Sequence, residues 1–228
     1  MRTLQQPLFT PETEWVPPDR LPDLSSHSEI AIDLETRDPN LLTMGSGSVR
    51  RDGEVVGIAV AVEGWAGYFP IAHEGGGNMD RALVLDWFEE VLHTTSTKIF
   101  HNAMYDVSWI RSMGFQINGG IIDTMIAASL IDENRFSYTL DSIGKDYIGM
   151  RKNEKLLQDA AKDFGVNPKA EMWRLPAPFV GEYAEKDAEM TLKLWHALQH
   201  EISKQDLWDV FNLETNLFPC LVDMKFKG

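Results

Sequence analysis

Short stretches in the first half of the chain alternate between apolar and polar residues, and this period of two predicts β-strands. Residues 29–35 are the clearest case, because one face carries only Ile30, Ile32 and Leu34. The same reasoning predicts four further strands, at residues 55–62, 67–71, 98–102 and 119–123. The second and third predicted strands are joined by a tight turn at Glu63–Gly64, which is typical of an antiparallel hairpin.

Elsewhere apolar residues recur every three or four positions, which predicts helices. Such spacing covers residues 80–92, 105–113, 124–130, 179–201 and 207–224. From residue 137 to 207 the pattern is mostly helical, with breaks near Gly149, residues 165–168 and residues 176–178. The glycine-containing segment between the first two strands is predicted to be a polar loop, and residues 73–78 another.

The order of these elements predicts the fold class. Strand–helix–strand units favour parallel pairing, whereas the hairpin is antiparallel, so we expect an α/β fold with a mixed central sheet of about five strands flanked by helices. Residues 1–28, which are rich in proline, form an irregular lead-in, residues 29–205 form the main domain, and residues 206–228 form a helical extension. Sites in such sheets lie at the carboxyl ends of strands.

Composition and charge limit the classes of function. The 228 residues are 43% hydrophobic and 25% charged, an ordinary globular balance. A single cysteine, Cys220, allows no internal disulfide, and no apolar run could span a bilayer, so we expect a cytoplasmic protein with no membrane partner. The net charge of −14 argues against binding nucleic acid through a broad basic surface, but it is compatible with carboxylates that gather divalent cations.

Three separated groups of residues are candidates for such a site. Asp33 and Glu35 are two positions apart on a predicted strand, so their side chains share one face, although both faces of this strand look covered. Asp106 follows Asn102 by four residues at a strand–helix junction, where Asn102 is a candidate helix cap. Tyr183 and Asp187 are separated by one helical turn and share a face. Each group also has an ordinary interpretation as a solvated strand face, a helix start or a helix surface pair.

Taken together, these groups resemble the motifs of the DEDD superfamily of 3′–5′ exonucleases, which have a ribonuclease H-like fold. The stretches IDLET, HNAMYD and YAEKD match its three motifs in order, and the tyrosine in the third indicates the tyrosine branch. Within that branch the chain is similar to the proofreading domain of family A, polymerase I-type DNA polymerases, particularly phage-like ones. The stretch LETNLFPCLVDMKFKG resembles the segment that leads into the polymerase domain.

The resemblance implies a mechanism and a set of residues. Two divalent metal ions, Mg²⁺ or Mn²⁺, would be held by Asp33, Glu35, Asp106 and Asp187. Tyr183 would orient the attacking water, because a tyrosine pKa near 10 makes a poor base. The substrate would be the single-stranded or frayed 3′ end of DNA, released as 5′-mononucleotides, with a covalently linked polymerase domain as the expected partner. Candidate substrate contacts are Leu34, Thr36, Asn102 and His101.

Several basic residues, one histidine and one further aspartate lie outside these motifs. Six basic residues are candidates for contacts to the DNA backbone, although solvated surface charge is the preferred interpretation of any single one: Arg50, Arg51, Arg151, Lys152, Lys155 and Arg174. His73 is expected to be a hydrogen-bonded loop histidine, and Asp123 to cap the helix that follows it. Two rival functions stay open: a ribonuclease D-like exoribonuclease, and a catalytically silent exonuclease fold that binds DNA or supports a polymerase.

Overall fold

A computed structural model describes residues 12–228 and shows one five-stranded mixed sheet. Its strands are β1 Glu29–Arg37, β2 Glu54–Val62, β3 Trp65–Pro70, β4 Thr97–Phe100 and β5 Ile121–Asp123. The spatial order is β3-β2-β1-β4-β5; β1 pairs antiparallel with β2 and parallel with β4. The predicted α/β class and mixed sheet are therefore confirmed.

Nine α-helices flank the sheet within residues 12–228. They are α1 Leu41–Met44, α2 Gly47–Arg50, α3 Arg81–His93, α4 Ala103–Ser112, α5 Thr124–Ile131, α6 Leu140–Ile148, α7 Lys155–Phe164, α8 Gly181–Lys204 and α9 Trp208–Lys227. Two 3₁₀ turns, Met172–Arg174 and Ala177–Phe179, lie between α7 and α8. No helix in this part of the chain is long and apolar enough to cross a membrane.

The segment between β1 and β2 differs from the expected loop, because it contains the short helices α1 and α2. Each is only four residues long, so neither can show a repeating apolar stripe. Local contacts build α2 instead: the side chain of Ser46 caps its first turn, and the carboxylate of Asp38 accepts a hydrogen bond from the backbone N–H of Gly47.

The proline-rich lead-in predicted at residues 1–28 lies partly outside the described residues. Its described part, residues 12–28, forms neither a helix nor a strand before β1 begins.

Apolar side chains pack on both faces of the sheet, as the sequence of β1 predicts. Ile30, Ile32 and Leu34 lie in one cluster with α3 and α4. On the opposite face Ala31 and Ala59 are fully buried against the cluster that contains α8. Because the side chains on this second face are small, the long helix α8 lies close across β1, β2 and β3.

Candidate active site

Asp33 and Glu35 project from β1 toward α8, on the same face as Ala31. Their partners across the β1–β2 ladder are Ala59 and Gly57, and the Tyr68 hydroxyl fills the space that a side chain on Gly57 would take. A register shift between Glu35 and Thr36 interrupts the ladder directly after the second carboxylate, and pairing resumes between Thr36 and Val55. The predicted shared face is thus observed, at the carboxyl end of a central strand.

These carboxylates carry more negative charge than their surroundings compensate. Burial, reinforced by the nearby Asp187, raises the pKa of Asp33 to about 7. Burial also raises the pKa of Glu35 well above its usual value, and Asp33 and Asp187 add to the effect. A divalent cation would relieve this repulsion, because it favours the ionised form of every carboxylate around it.

Asp106 joins this group from the first turn of α4. The carboxylate is buried, and its Oδ1 accepts a hydrogen bond of 3.0 Å from the backbone N–H of Leu34, between the two carboxylates of β1. Burial, followed by the charge of Asp33, raises the pKa of Asp106 well above its usual value. The α4 helix is therefore tied directly to the acidic strand.

The expectation that Asn102 caps α4 is wrong. Asn102 precedes the helix in a left-handed conformation (φ 68°), and its side chain makes no capping hydrogen bond. The carboxylate of Asp123 takes this role, because it accepts hydrogen bonds of 2.9 and 2.8 Å from the backbone N–H groups of Asn102 and Ala103. Asp123 also caps α5 through the N–H of Met125, as predicted, so one buried carboxylate fixes the start of both helices.

Tyr183 and Asp187 lie one turn apart on α8, and a lysine bridges them. The Nζ atom of Lys152 lies 2.5 Å from Asp187 Oδ2 and donates a 3.1 Å hydrogen bond to the Tyr183 hydroxyl. The other oxygen of Asp187, Oδ1, is buried and has no hydrogen-bond partner among residues 12–228. Burial, and then Asp187, raises the pKa of Tyr183, which keeps its hydroxyl protonated at neutral pH.

The four predicted carboxylates therefore converge, because the charge of Asp187 raises the pKa values of Asp33 and Glu35, and the charge of Asp33 raises that of Asp106. Within residues 12–228, however, no three acidic, histidine or cysteine side chains form a group that could hold one metal ion as they are now arranged. Lys152 already occupies one Asp187 oxygen. The donor set still fits a hard divalent cation, because it supplies carboxylate oxygens of raised pKa and one buried oxygen without a partner.

The four candidate substrate contacts differ in burial and in their hydrogen-bond partners. The Leu34 side chain is buried on the face of β1 away from the carboxylates, so only its backbone lies among them. The Thr36 hydroxyl is 2.6 Å from the hydroxyl of Tyr105, and Asn102 is exposed. Both ring nitrogens of His101 are engaged, by the Thr124 hydroxyl and the Tyr138 carbonyl, and burial lowers its pKa to about 4.

A buried tyrosine that the sequence analysis missed lies beside the carboxylates. The charges of Glu35 and Asp33 add to burial in raising the pKa of Tyr68, and its hydroxyl lies 2.6 Å from Nε2 of His73. His73 is also hydrogen bonded to the carbonyl of Leu175, which confirms it as a hydrogen-bonded loop histidine. Tyr68 belongs to no local motif, so only its place on β3, level with Asp33 and separated from it by Ala59 of β2, reveals it.

The mixed sheet flanked by helices is similar to the ribonuclease H-like exonuclease folds. A family model described as a 3′–5′ exonuclease matches residues 12–203. The chain belongs to that family, the 3′–5′ exonuclease domain of family A DNA polymerases.

Curated relatives are polymerases. The chain is 40% identical over 236 residues to a DNA-directed DNA polymerase of Pseudomonas phage M6, an alignment that covers all of this chain and 36% of that protein. It is 31% identical over 214 residues to the DNA polymerase DpoZ of Salmonella phage PMBT28, which covers 91% of this chain and 32% of that one. The chain thus spans about a third of the length of these relatives.

Solved structures share the fold at low sequence identity. Brucella melitensis NrnC with bound Mg²⁺ superposes with a TM-score of 0.62 at 19% identity, covering 90% of this chain and 89% of that one. Escherichia coli RNase D, described as an exoribonuclease involved in structured RNA processing, gives 0.58 at 17% identity, covering 90% and 46%. The fold alone therefore does not separate DNA from RNA as the substrate.

Proposed function

We propose that this chain removes 5′-mononucleotides from single-stranded or frayed 3′ ends of DNA, using two divalent metal ions, as the proofreading part of a DNA polymerase. The observation that supports this most is the convergence of Asp33, Glu35, Asp106 and Asp187 from three separate elements onto one neighbourhood beside Tyr183. Structural ion clusters do not require such an excess of buried negative charge, whereas a site for cations does.

Each carboxylate has a distinct part in this proposal. Asp33, Glu35 and Asp187 would hold one ion, and Asp33 with Asp106 the other. Bound ions would neutralise charge on the scissile phosphate and make hydroxide available near neutral pH. Asp106 also keeps α4 at the strand through the N–H of Leu34, so that its carboxylate is positioned before any ligand arrives.

Tyr183 would act by position. Its raised pKa keeps the hydroxyl protonated at neutral pH, so it does not serve as a base, but the hydroxyl can direct the oxygen of an attacking water. The hydroxyl already lies at the edge of the carboxylate group, where Lys152 contacts it. Loss of this hydroxyl should therefore slow hydrolysis without removing a ligand for the metal.

A basic cleft next to Tyr183 would receive the phosphate backbone. This cavity of about 770 Å³ is lined by four cationic side chains, Arg151, Lys152, Lys155 and Lys169, against two acidic ones, Asp141 and Glu154. Arg151, Lys155 and Lys169 are exposed and form no ion pair within residues 12–228. Local positive charge of this kind lets an acidic chain hold a polyanion where it is needed.

Two of the predicted backbone contacts are engaged elsewhere. Arg50 is paired with Asp38 and Asp52, and Arg174 with Glu74 and Glu171. Among the six basic residues named from the sequence, those near α7 therefore suit a strand-binding role better.

Identity to phage DNA polymerases favours DNA over RNA, and the greater length of those relatives supports a polymerase domain linked to α9. The likeness to RNase D keeps an exoribonuclease as the second candidate. The decisive experiment compares 5′-labelled DNA and RNA oligonucleotides of one sequence, with paired or mismatched 3′ ends, in Mg²⁺ and in Mn²⁺. We expect stepwise shortening from the 3′ end, faster on DNA and fastest on mismatched ends.

The outcome separates the candidates. Faster degradation of RNA would support the ribonuclease D-like alternative. Binding of single strands with no release of mononucleotides in either metal would instead support a catalytically silent module, and would refute the proposed activity. Asp33→Asn is the control, because it should abolish any degradation that belongs to this site.

A further inference from the structure

We propose that the ammonium group of Lys152 is a built-in counter-cation that holds Asp187 and Tyr183 in the metal-free protein and competes with the divalent metal for Asp187. This inference rests on the proposed function, since it concerns the same carboxylates. Lys152 would thus be a residue that sets metal affinity, rather than only a contact for the DNA backbone.

The contacts of Lys152 are those of a bound cation. Its Nζ lies 2.5 Å from Asp187 Oδ2, donates a 3.1 Å hydrogen bond to the Tyr183 hydroxyl, and lies 5.0 Å from the centre of the Tyr183 ring. The side chains of Lys152 and Asp187 are only 16% and 6% exposed. A pair so well shielded from water is little weakened by solvent, unlike the surface ion pairs elsewhere on the chain.

The backbone of Lys152 is anchored, so displacement of its ammonium would come from rotation of the side chain alone. Its N–H donates a 2.9 Å hydrogen bond to the carboxylate of Asp141, in the first turn of α6. Residues 151–154 form an irregular segment between α6 and α7, and the side chain of Lys152 also lines the basic cleft. The ammonium can therefore leave Asp187 by rotation of its four-carbon stem, with the cleft beside it to receive it.

One ammonium compensates the cluster only in part. Burial lowers the pKa of Lys152, but Asp187 and then Asp33 and Glu35 hold it above its usual value, so the group stays charged. Four carboxylates against one ammonium leave an excess of negative charge. A divalent ion brings twice the charge, and an ion held by the free Oδ1 of Asp187 would lie close to the ammonium on Oδ2, so repulsion between the two cations favours release of the ammonium.

Competition between Lys152 and the metal predicts the direction in which metal affinity changes when the lysine is replaced. If Lys152 competes with metal, its removal should increase metal affinity; if it merely organises the carboxylates, its removal should decrease that affinity. Equilibrium binding of Mn²⁺ to the whole chain, followed by electron paramagnetic resonance of the free ion, distinguishes these directions without any measurement of activity.

We expect Lys152→Gln to bind Mn²⁺ about tenfold more tightly than the wild type, which corresponds to about 1.4 kcal/mol. Lys155→Gln is the matched control: it removes the same charge three residues away, from an exposed side chain without contact to the carboxylates, and should change the dissociation constant by less than about twofold. Lys152→Arg, which keeps the charge, should remain near the wild type. Unchanged or weaker Mn²⁺ binding by Lys152→Gln would overturn the inference.

A measurement on the wild type avoids dependence on the folding of the variant. In protein labelled with ¹⁵N at lysine side chains, the Lys152 ammonium resonance, assigned as the signal absent from Lys152→Arg, should shift during a Mg²⁺ titration. A resonance that stays in place at saturation would contradict exchange.

Asp187→Asn separates this inference from the proposed function. If Asp187→Asn weakens Mn²⁺ binding but Lys152→Gln leaves it unchanged, only the role of Lys152 fails. If neither the wild type nor Asp187→Asn binds Mn²⁺, the proposed metal site itself fails.

Discussion

The carboxylate of Asp106 accepts a 3.0 Å hydrogen bond from the backbone N–H of Leu34, 72 positions earlier in the chain. This bond joins α4 to β1 between Asp33 and Glu35, so a proposed metal ligand also holds together the elements that carry the others. Asp106 therefore has a structural and a chemical part, which substitution can separate.

Asp106→Asn and Asp106→Ala should separate those two parts. The amide of Asn keeps an acceptor for the Leu34 N–H but removes the charge, so we expect near-native stability with exonuclease activity reduced at least ~100-fold. Ala leaves the buried N–H without a partner and should cost an additional 1–3 kcal/mol, roughly, in unfolding free energy. Urea unfolding and release of labelled nucleotides test both. Equal stability of the two variants would show that the Leu34 bond contributes nothing.

Removal of a carboxylate should affect activity more than removal of the tyrosine hydroxyl. We expect Asp33→Ala and Asp187→Ala to lose roughly 1,000-fold or more in rate with the fold intact, because several kcal/mol of charge stabilisation is lost. Tyr183→Phe should lose about tenfold to a hundredfold and keep its Mn²⁺ affinity, since the hydroxyl only positions water. Turnover near the wild-type rate in both Asp variants would contradict the assignment of the site.

Metal should stabilise the fold more at pH 8 than at pH 6. Because burial raises the pKa of Asp33 to about 7, its carboxyl is mostly protonated at pH 6, and a cation must then displace a proton. We expect the melting temperature in Mn²⁺, relative to that in EDTA, to rise further at the higher pH. Asp33→Asn should show a smaller dependence on pH; the same dependence in that variant would assign the effect to another group.

Acid should destabilise the protein through His73. Burial lowers its folded pKa to about 4 from 6.5, so its contribution is present in full above pH 6.5 and is lost as the pH falls through 4. The full difference is about 3 kcal/mol. His73→Gln, which can keep hydrogen bonds to Tyr68 and Leu175, should show a flatter loss of unfolding free energy between pH 6.5 and 4. Parallel curves for wild type and variant would exclude His73 as a source of acid sensitivity.

Gly57 should tolerate no side chain. A Cβ atom there would lie within bonding distance of the Tyr68 hydroxyl, so Gly57→Ala must displace the buried tyrosine beside Glu35, at a cost of about 1–3 kcal/mol. Gly120→Ala is the matched control, because its nearest neighbour, the Thr97 side chain, is at an ordinary 3.5 Å. Thermal unfolding compares the two; equal stability would mean that Tyr68 has room to move.

Much of the fold follows from local patterns. Alternation predicts β1 within two residues of its observed end, and the i, i+4 spacing of Tyr183 and Asp187 correctly places both on one face of α8. Short elements such as α1 and α2 were missed because four residues contain too little periodicity. The motif residues could be named because one strand or one helical turn sets the geometry within each group.

What the sequence determined by itself was therefore the class of fold and the identity of the acidic side chains, which depend on neighbours along the chain. Only the tertiary structure decided which groups meet across it. Three contacts join residues 20 or more positions apart in the sequence. They are the hydrogen bond of Asp106 to Leu34, the capping of Asn102 by Asp123, and the ion pair of Lys152 with Asp187. No local period encodes such contacts, because they arise only when the helices pack on the sheet.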